Sequence, residues 1–133
     1  MTSMRPFEDI RIAGFDDKLS SKPDPDKDLY DMRLELSAAP PVEWEQIFLE
    51  ERRFPRHTMW RRAWVEGRHI VIRCAPEELE QYHLRDLQED VRNTNAKYRE
   101  YLEKAAAAEQ EEAQRQQEER ERLADIKRRL GFD

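Results

Sequence analysis

Between Pro76 and Gly131 the chain contains no proline and no glycine. These two residues most readily break or end a helix, so a gap of this length predicts one continuous helix from residue 76 to about 130. PEELE opens it with proline at the first helical position and three glutamates that complement the N-terminal dipole. Gly131 closes it in the usual way. At about 1.5 Å per residue such a helix is roughly 80 Å long. A module built from the other 75 or so residues has an expected radius of gyration of about 11 Å. The helix is therefore expected to outrun its own module and offer surface to a partner.

Its apolar pattern supports that division. Leu84, Leu87, Val91, Thr94, Tyr98, Tyr101, Ala105 and Ala108 follow a 3-4 spacing without a slip, which is an a/d seam. The first part can cover the module's own sheet, and the remainder suits a second helix. Threonine, two tyrosines and two alanines make a mediocre parallel zipper, so an antiparallel pair or a heterologous helix fits equally well. Residues 109–122 hold one apolar side chain, Ala113, and read as a solvated polar segment. Residues 123–132 restore apolar character with Leu123, Ile126, Leu130 and Phe132 beside three basic residues, a pattern expected of a C-terminal docking segment.

The first 75 residues carry different periods. EDIRIAGF (8–15) alternates Ile10 and Ile12 with polar neighbours and predicts a short strand. DDKLSSKPDPDKD (16–28) is a loop by composition. In LYDMRLELS (29–37), Tyr30, Met32, Leu34 and Leu36 alternate with Asp31, Arg33, Glu35 and Ser37, the strict period of two that marks a half-buried strand. A helix begins near Pro41, placed at its first position, and buries Trp44, Ile47 and Phe48. Arg52 and Arg53 suit its C-terminal end, and Pro55 stops it. HTMWRRAWVEGRHIVIRCA (57–75) reads as a hairpin turning at Glu66-Gly67. The expected fold class is α+β: a small, mainly antiparallel ββαββ sheet module (1–75), then one long C-terminal helix (76–133), partly coiled-coil-like, whose first turns pack on the sheet.

Charge is distributed unevenly over this frame. The chain is acidic overall, with a net charge of -6. RRFPRHTMWRRAW (52–64) nevertheless gathers five arginines, a histidine and three aromatics without one acidic residue. The predicted hairpin register sets Trp64 opposite His69, Arg62 opposite Val71 and Trp60 opposite Arg73. It thus places Trp60, Arg62, Trp64, His69 and Arg73 on one face and turns Arg61 toward Ile72. Arginine–tryptophan stacking accounts for such a face without any ligand. It also suits a protein interface, where these residue types dominate binding energy, or single-stranded nucleic acid, whose bases stack on aromatic rings.

Several chemistries find little support. His57, His69 and His83 fall in separate predicted elements with no histidine or cysteine at ligand spacing. Asp24, Asp26, Asp28 and Glu35 imitate a calcium loop, but Leu29 stands where its turn needs glycine. No glycine-rich phosphate loop is present, and Cys74 lies between apolar strand residues. No cofactor, metal, small-molecule substrate or catalytic residue is therefore expected, nor a membrane-spanning stretch. A single cysteine and the lack of an apolar leader suit the cytoplasm. The function expected from these residues is a non-enzymatic adaptor or assembly subunit. It would bind a protein, or a second copy of itself, through the long helix and the Arg/Trp face, with nucleic-acid binding by that face as the alternative.

Overall fold

A computed structural model describes residues 6–132; Met1–Arg5 of the expected module and Asp133 of the expected helix lie outside the described residues. The elements run β1 (Ile12–Phe15), β2 (Tyr30–Leu36), α1 (Val42–Glu51), β3 (Ala63–Glu66), β4 (His69–Cys74), α2 (Pro76–Glu78), a π-helical turn (Leu79–His83) and α3 (Leu84–Leu130). The fold is α+β, a four-stranded antiparallel sheet followed by a long C-terminal helix. The described residues divide into two units, one ending at Tyr98 and one beginning at Arg99.

In the first unit the sheet order is β1-β2-β4-β3, with every pair antiparallel. Alternation in β2 turns Met32, Leu34 and Leu36 into the core, as their spacing predicts. They join Ile70, Ile72 and Cys74 of β4, Trp44 and Phe48 of α1, and Leu87, Val91 and Tyr98 of α3 in one cluster. Trp44 and Phe48, one turn apart, stack with ring centroids 5.6 Å apart. Ile10 is buried in the same cluster but lies before β1, which starts two residues later than Ile10.

The second sheet face is drier than strict alternation suggests. Asp31 and Val71 point away from the helices, yet both are buried. The loop after β1 returns alongside β2, where Ser21 and Asp31 form an isolated bridge and the Arg33 Nε donates to the Leu19 carbonyl at 3.1 Å. Arg33 and Trp64 flank Val71 from the neighbouring strands. An expected wet face is partly a second interior.

The β3–β4 hairpin differs from the predicted register by one step of the turn. Glu66 faces His69, Trp64 faces Val71 and Ala63 faces Ile72, so the loop residues are Gly67 and Arg68. Gly67 has φ of 57°. A positive φ at the first loop position strains a side-chain-bearing residue but not glycine, so the turn moves until glycine occupies it. Moving a two-residue loop by one position preserves the inside–outside parity, which is why Ala63 and Val65 remain buried while the opposed pairs change.

The strand itself begins at Ala63 rather than His57. Residues 57–60 form a turn closed by the Trp60 N–H on the His57 carbonyl, 3.2 Å. Trp60 therefore leaves the hairpin face, and Arg61 is not turned toward Ile72. Pro41 is the N-cap of α1 with extended backbone, one position earlier than expected. Pro76 does open α2. The helical path then includes the π turn, where the Leu84 N–H reaches the Leu79 carbonyl. Its five-residue step sets Leu79 and Leu84 on the same side, and both pack against the core.

Candidate functional site

Most of the basic residues of RRFPRHTMWRRAW meet acidic residues of the first unit's own helices. Arg52 caps α1 and is buried; its Nη1 donates to Asp90 Oδ2 at 2.6 Å, and its Nη2 to the Arg61 carbonyl at 2.9 Å. Arg56 donates to the other oxygen of Asp90. The Trp60 ring lies beneath both cations, 3.9 Å from the Arg52 guanidinium carbon and 4.6 Å from that of Arg56. Asp90 is fully buried, so two arginines neutralise one carboxylate against an aromatic face.

Two further pairs flank this layer. Arg61 binds Glu78 through two parallel hydrogen bonds of 3.1 and 3.0 Å, the fork geometry that carboxylate recognition favours. His57 Nε2 lies 2.7 Å from Asp86 Oδ2. Behind them sits His83, buried, with Nε2 3.2 Å from Glu78 Oε2 and Nδ1 without a hydrogen-bond partner among the described residues. Burial lowers the His83 pKa, against the pull of Glu78, and the neighbouring Arg52 and His57 lower it further. Glu78 is held below the usual carboxylate range chiefly by its bond from Arg61.

The hairpin face is paired in the same manner. Trp64 is half-buried, with the Arg62 and Arg73 guanidinium carbons 5.3 and 5.7 Å from its ring centroid. Arg73 makes two hydrogen bonds to Asp31, at 2.8 and 3.1 Å, while Arg33 reaches Glu66 at 2.5 Å. The Trp64 indole N–H donates to the other oxygen of Glu66 at 2.9 Å. Arg62, Trp64 and Arg73 are thus gathered as the sequence predicts. His69 lies on the same face but turns to Asp16, 3.0 Å away, and Trp60 belongs to the Asp90 layer instead.

His69 also brings together residues that sequence spacing does not connect. Ligand-type atoms of Asp16, Glu35 and His69 lie within 4.8 Å of one another, beside a cavity of about 330 Å³ that Arg68 also lines. Gly14 permits this approach, because a Cβ there would stand 3.0 Å from Glu35 Oε2. Two carboxylates and an imidazole are a donor set that can hold a divalent cation. Asp16 is already engaged, however: its Oδ1 accepts the Leu19 N–H at 3.0 Å while Oδ2 meets His69.

The helix seam divides at the boundary between the two units. Leu87, Val91, Thr94 and Tyr98 are buried and Leu84 is half-buried, whereas Tyr101, Ala105 and Ala108 are exposed. In the second unit every described residue from Arg99 to Phe132 is exposed. Leu123 and Leu130 each keep 59% of their surface exposed, Ile126 37% and Phe132 84%. Beside the seam, sequence periodicity overlooks Asn95, which is buried. Its carboxamide accepts from the Ile10 N–H at 3.1 Å, donates to the Ile10 carbonyl at 2.7 Å and accepts the Trp44 indole N–H at 2.9 Å.

Among the described residues no helix is long and apolar enough to cross a membrane. No protein-family model, curated protein or solved structure matches the chain.

Proposed function

We propose that this chain is a non-enzymatic protein-binding module, an adaptor or assembly subunit of the cytoplasm, whose binding element is the helix of the second unit. One observation carries this reading. Residues 101–130 are helical and exposed throughout, while Leu123, Ile126 and Leu130 recur at the spacing of a single helix face. A helix whose apolar stripe meets solvent is of the kind that lies in a partner's groove or beside another helix, with residues three and four apart as anchors. The lone cysteine, Cys74, is buried and free, which suits a reducing compartment.

The basic aromatic face supports binding less strongly than its composition suggests. Arg33, Arg52, Arg56, Arg61 and Arg73 each face a carboxylate within the chain. Their charge is largely spent, and nucleic-acid recognition by these five arginines would have to begin by displacing Asp31, Glu66, Glu78 or Asp90. The pairs of Arg52, Arg56 and Arg61 also explain why those residues cluster: they lock the end of α1 and the loop before β3 onto α2 and α3. Arg33–Glu66 and Arg73–Asp31 instead tie strands of the sheet together.

The deciding experiment compares the intact chain, a chain ending at residue 108 and Arg62→Glu as baits for partner capture. Recovery of one dominant species by the intact chain and Arg62→Glu, lost on truncation, is the expected result. Equal recovery by all three overturns a role for the helix. Salt-sensitive binding of single-stranded RNA or DNA that Trp64→Ala abolishes would move the function to the sheet face.

A further inference from the structure

We propose that the partner of this helix is a second copy of the chain, paired antiparallel about a two-fold axis near Arg115 and Gln116; the inference rests on the protein-binding reading above. The exposed face of α3 reads Tyr101, Ala105, Ala108 and Glu112 before the axis, and Glu119, Leu123, Ile126 and Leu130 after it. The steps are four, three and four in both halves, so the pattern is the same from either end. A two-fold axis requires that if one residue meets another, the reverse contact also forms. Here it sets Tyr101 opposite Leu130, Ala105 opposite Ile126, and Ala108 opposite Leu123. Each alanine meets a large aliphatic side chain, so layer volume stays even. A parallel pair would place alanine on alanine and leave those layers hollow.

Charge selects the same orientation. Residues 99–114 hold two basic and five acidic side chains, and residues 115–132 hold six basic and four acidic. Antiparallel pairing lays the negative half on the positive half, whereas parallel pairing lays like on like. On the flanks, Glu111 comes opposite Arg122, and Glu109 opposite Arg120 and Lys127. Lys104 meets Arg122 and Arg129, so the ends of that flank repel. The centre is polar: Glu112 and Glu119 approach across the axis, with Arg115, paired to Glu112 within one helix, on either side of them. The seam changes phase at this point, a stutter of the kind that locally unwinds a helix pair. Three apolar layers on each side of a polar middle describe a reversible dimer with a fixed register.

Sedimentation equilibrium of the intact chain over a wide concentration range tests self-association, and cysteine pairing tests orientation. The expected result is a monomer–dimer equilibrium weakened about tenfold or more by Ile126→Asp, which removes two apolar layers from the dimer. Mixed Ala108→Cys and Leu123→Cys chains should form the crossed disulfide in preference to either self-pair. A strict monomer at all concentrations overturns the proposal, and so does preferential self-pairing of Ala108→Cys, which a parallel dimer would give. If the monomer still captures a different protein through residues 109–132, self-association falls while the protein-binding reading stands.

Discussion

Arg52 and Asp90, 38 residues apart, form an ion pair 2.6 Å long in which neither side chain is more than 3% exposed. The first arginine of a basic run is thereby an interior residue, and the acidic residue it meets belongs to α3, beyond the β3–β4 hairpin in the chain. A buried pair of this kind contributes little over an apolar substitute, but breaking it leaves a charge without solvent or partner. Asp90→Asn is expected to cost about 3–5 kcal/mol of unfolding free energy. Arg52→Met combined with Asp90→Leu should recover a large part of that loss. Urea denaturation followed by tryptophan fluorescence measures both, and a loss below about 1 kcal/mol for Asp90→Asn would contradict the buried-pair description.

Asn95 plays the corresponding neutral part. It binds both backbone groups of Ile10 as a neighbouring strand would, and it also receives the indole N–H of Trp44. Asn95→Ala strands three polar groups in a closed interior. Each such group costs about 1–3 kcal/mol, partly relieved if water enters. Hydrogen exchange at Ile10 should accelerate to the rate of a locally opened segment while the sheet amides stay protected. Unchanged protection at Ile10 would show that the segment is held without Asn95.

These two residues mark where sequence reading stops. Alternation in YDMRLEL and the helical stripe of Trp44, Ile47 and Phe48 were legible because burial imposes a period on apolar residues. The long helix was legible from its lack of breakers. A buried polar residue imposes no period, since its place is set by a partner far along the chain. Asp90 and Asn95 sit beside Val91 and Thr94, on the two flanks of the stripe rather than in it, and composition alone makes them ordinary surface residues. A weak signal did exist: Asp86 and Asp90 are one turn apart, so they share a face, and Arg52, Arg56 and Trp60 repeat at the same interval. The Asp16, Glu35 and His69 group had no signal at all, because the β1–β2 pairing and a bulge near Gly14 bring it together.

The hairpin turn offers a direct check on the corrected register. Gly67 has a left-handed backbone and open space around its missing Cβ. Gly67→Asn should therefore be nearly neutral, since asparagine tolerates that conformation, whereas Gly67→Val should cost roughly 1–2 kcal/mol through backbone strain alone. Equal stability of the two variants in urea titrations would mean that the turn lies elsewhere.

Cys74 reports on the core. It is buried on β4, and desolvation pushes its thiol up to about 11, with the nearby Glu78 adding to the effect. The reactive thiolate is scarce in the folded chain even at mildly alkaline pH. A thiol reagent should label the native protein only at the rate of unfolding, and Asp90→Asn should quicken labelling as far as it speeds unfolding. Rapid labelling of the native chain, at the rate of a free thiol, would place Cys74 outside the core.

A pH effect is expected at His83, whose pKa burial lowers from its ordinary 6.5. In the native chain the ring stays neutral, while in the unfolded chain it gains a proton as pH falls through about 6.5. The unfolded state then binds more protons, so stability falls with falling pH between 6.5 and the depressed native value, and is level above 6.5. Glu78, held down by Arg61, acts in the same direction but only at the lower pH where carboxylates titrate. His83→Gln keeps a side-chain amide toward Glu78 and removes the titration. Urea midpoints measured from about pH 7.5 to 5 should therefore decline for the natural chain and stay flatter for His83→Gln, with the two converging toward acid. Parallel curves would show that His83 does not govern this window, and a stability that rises on acidification would reverse the sign of its coupling to folding.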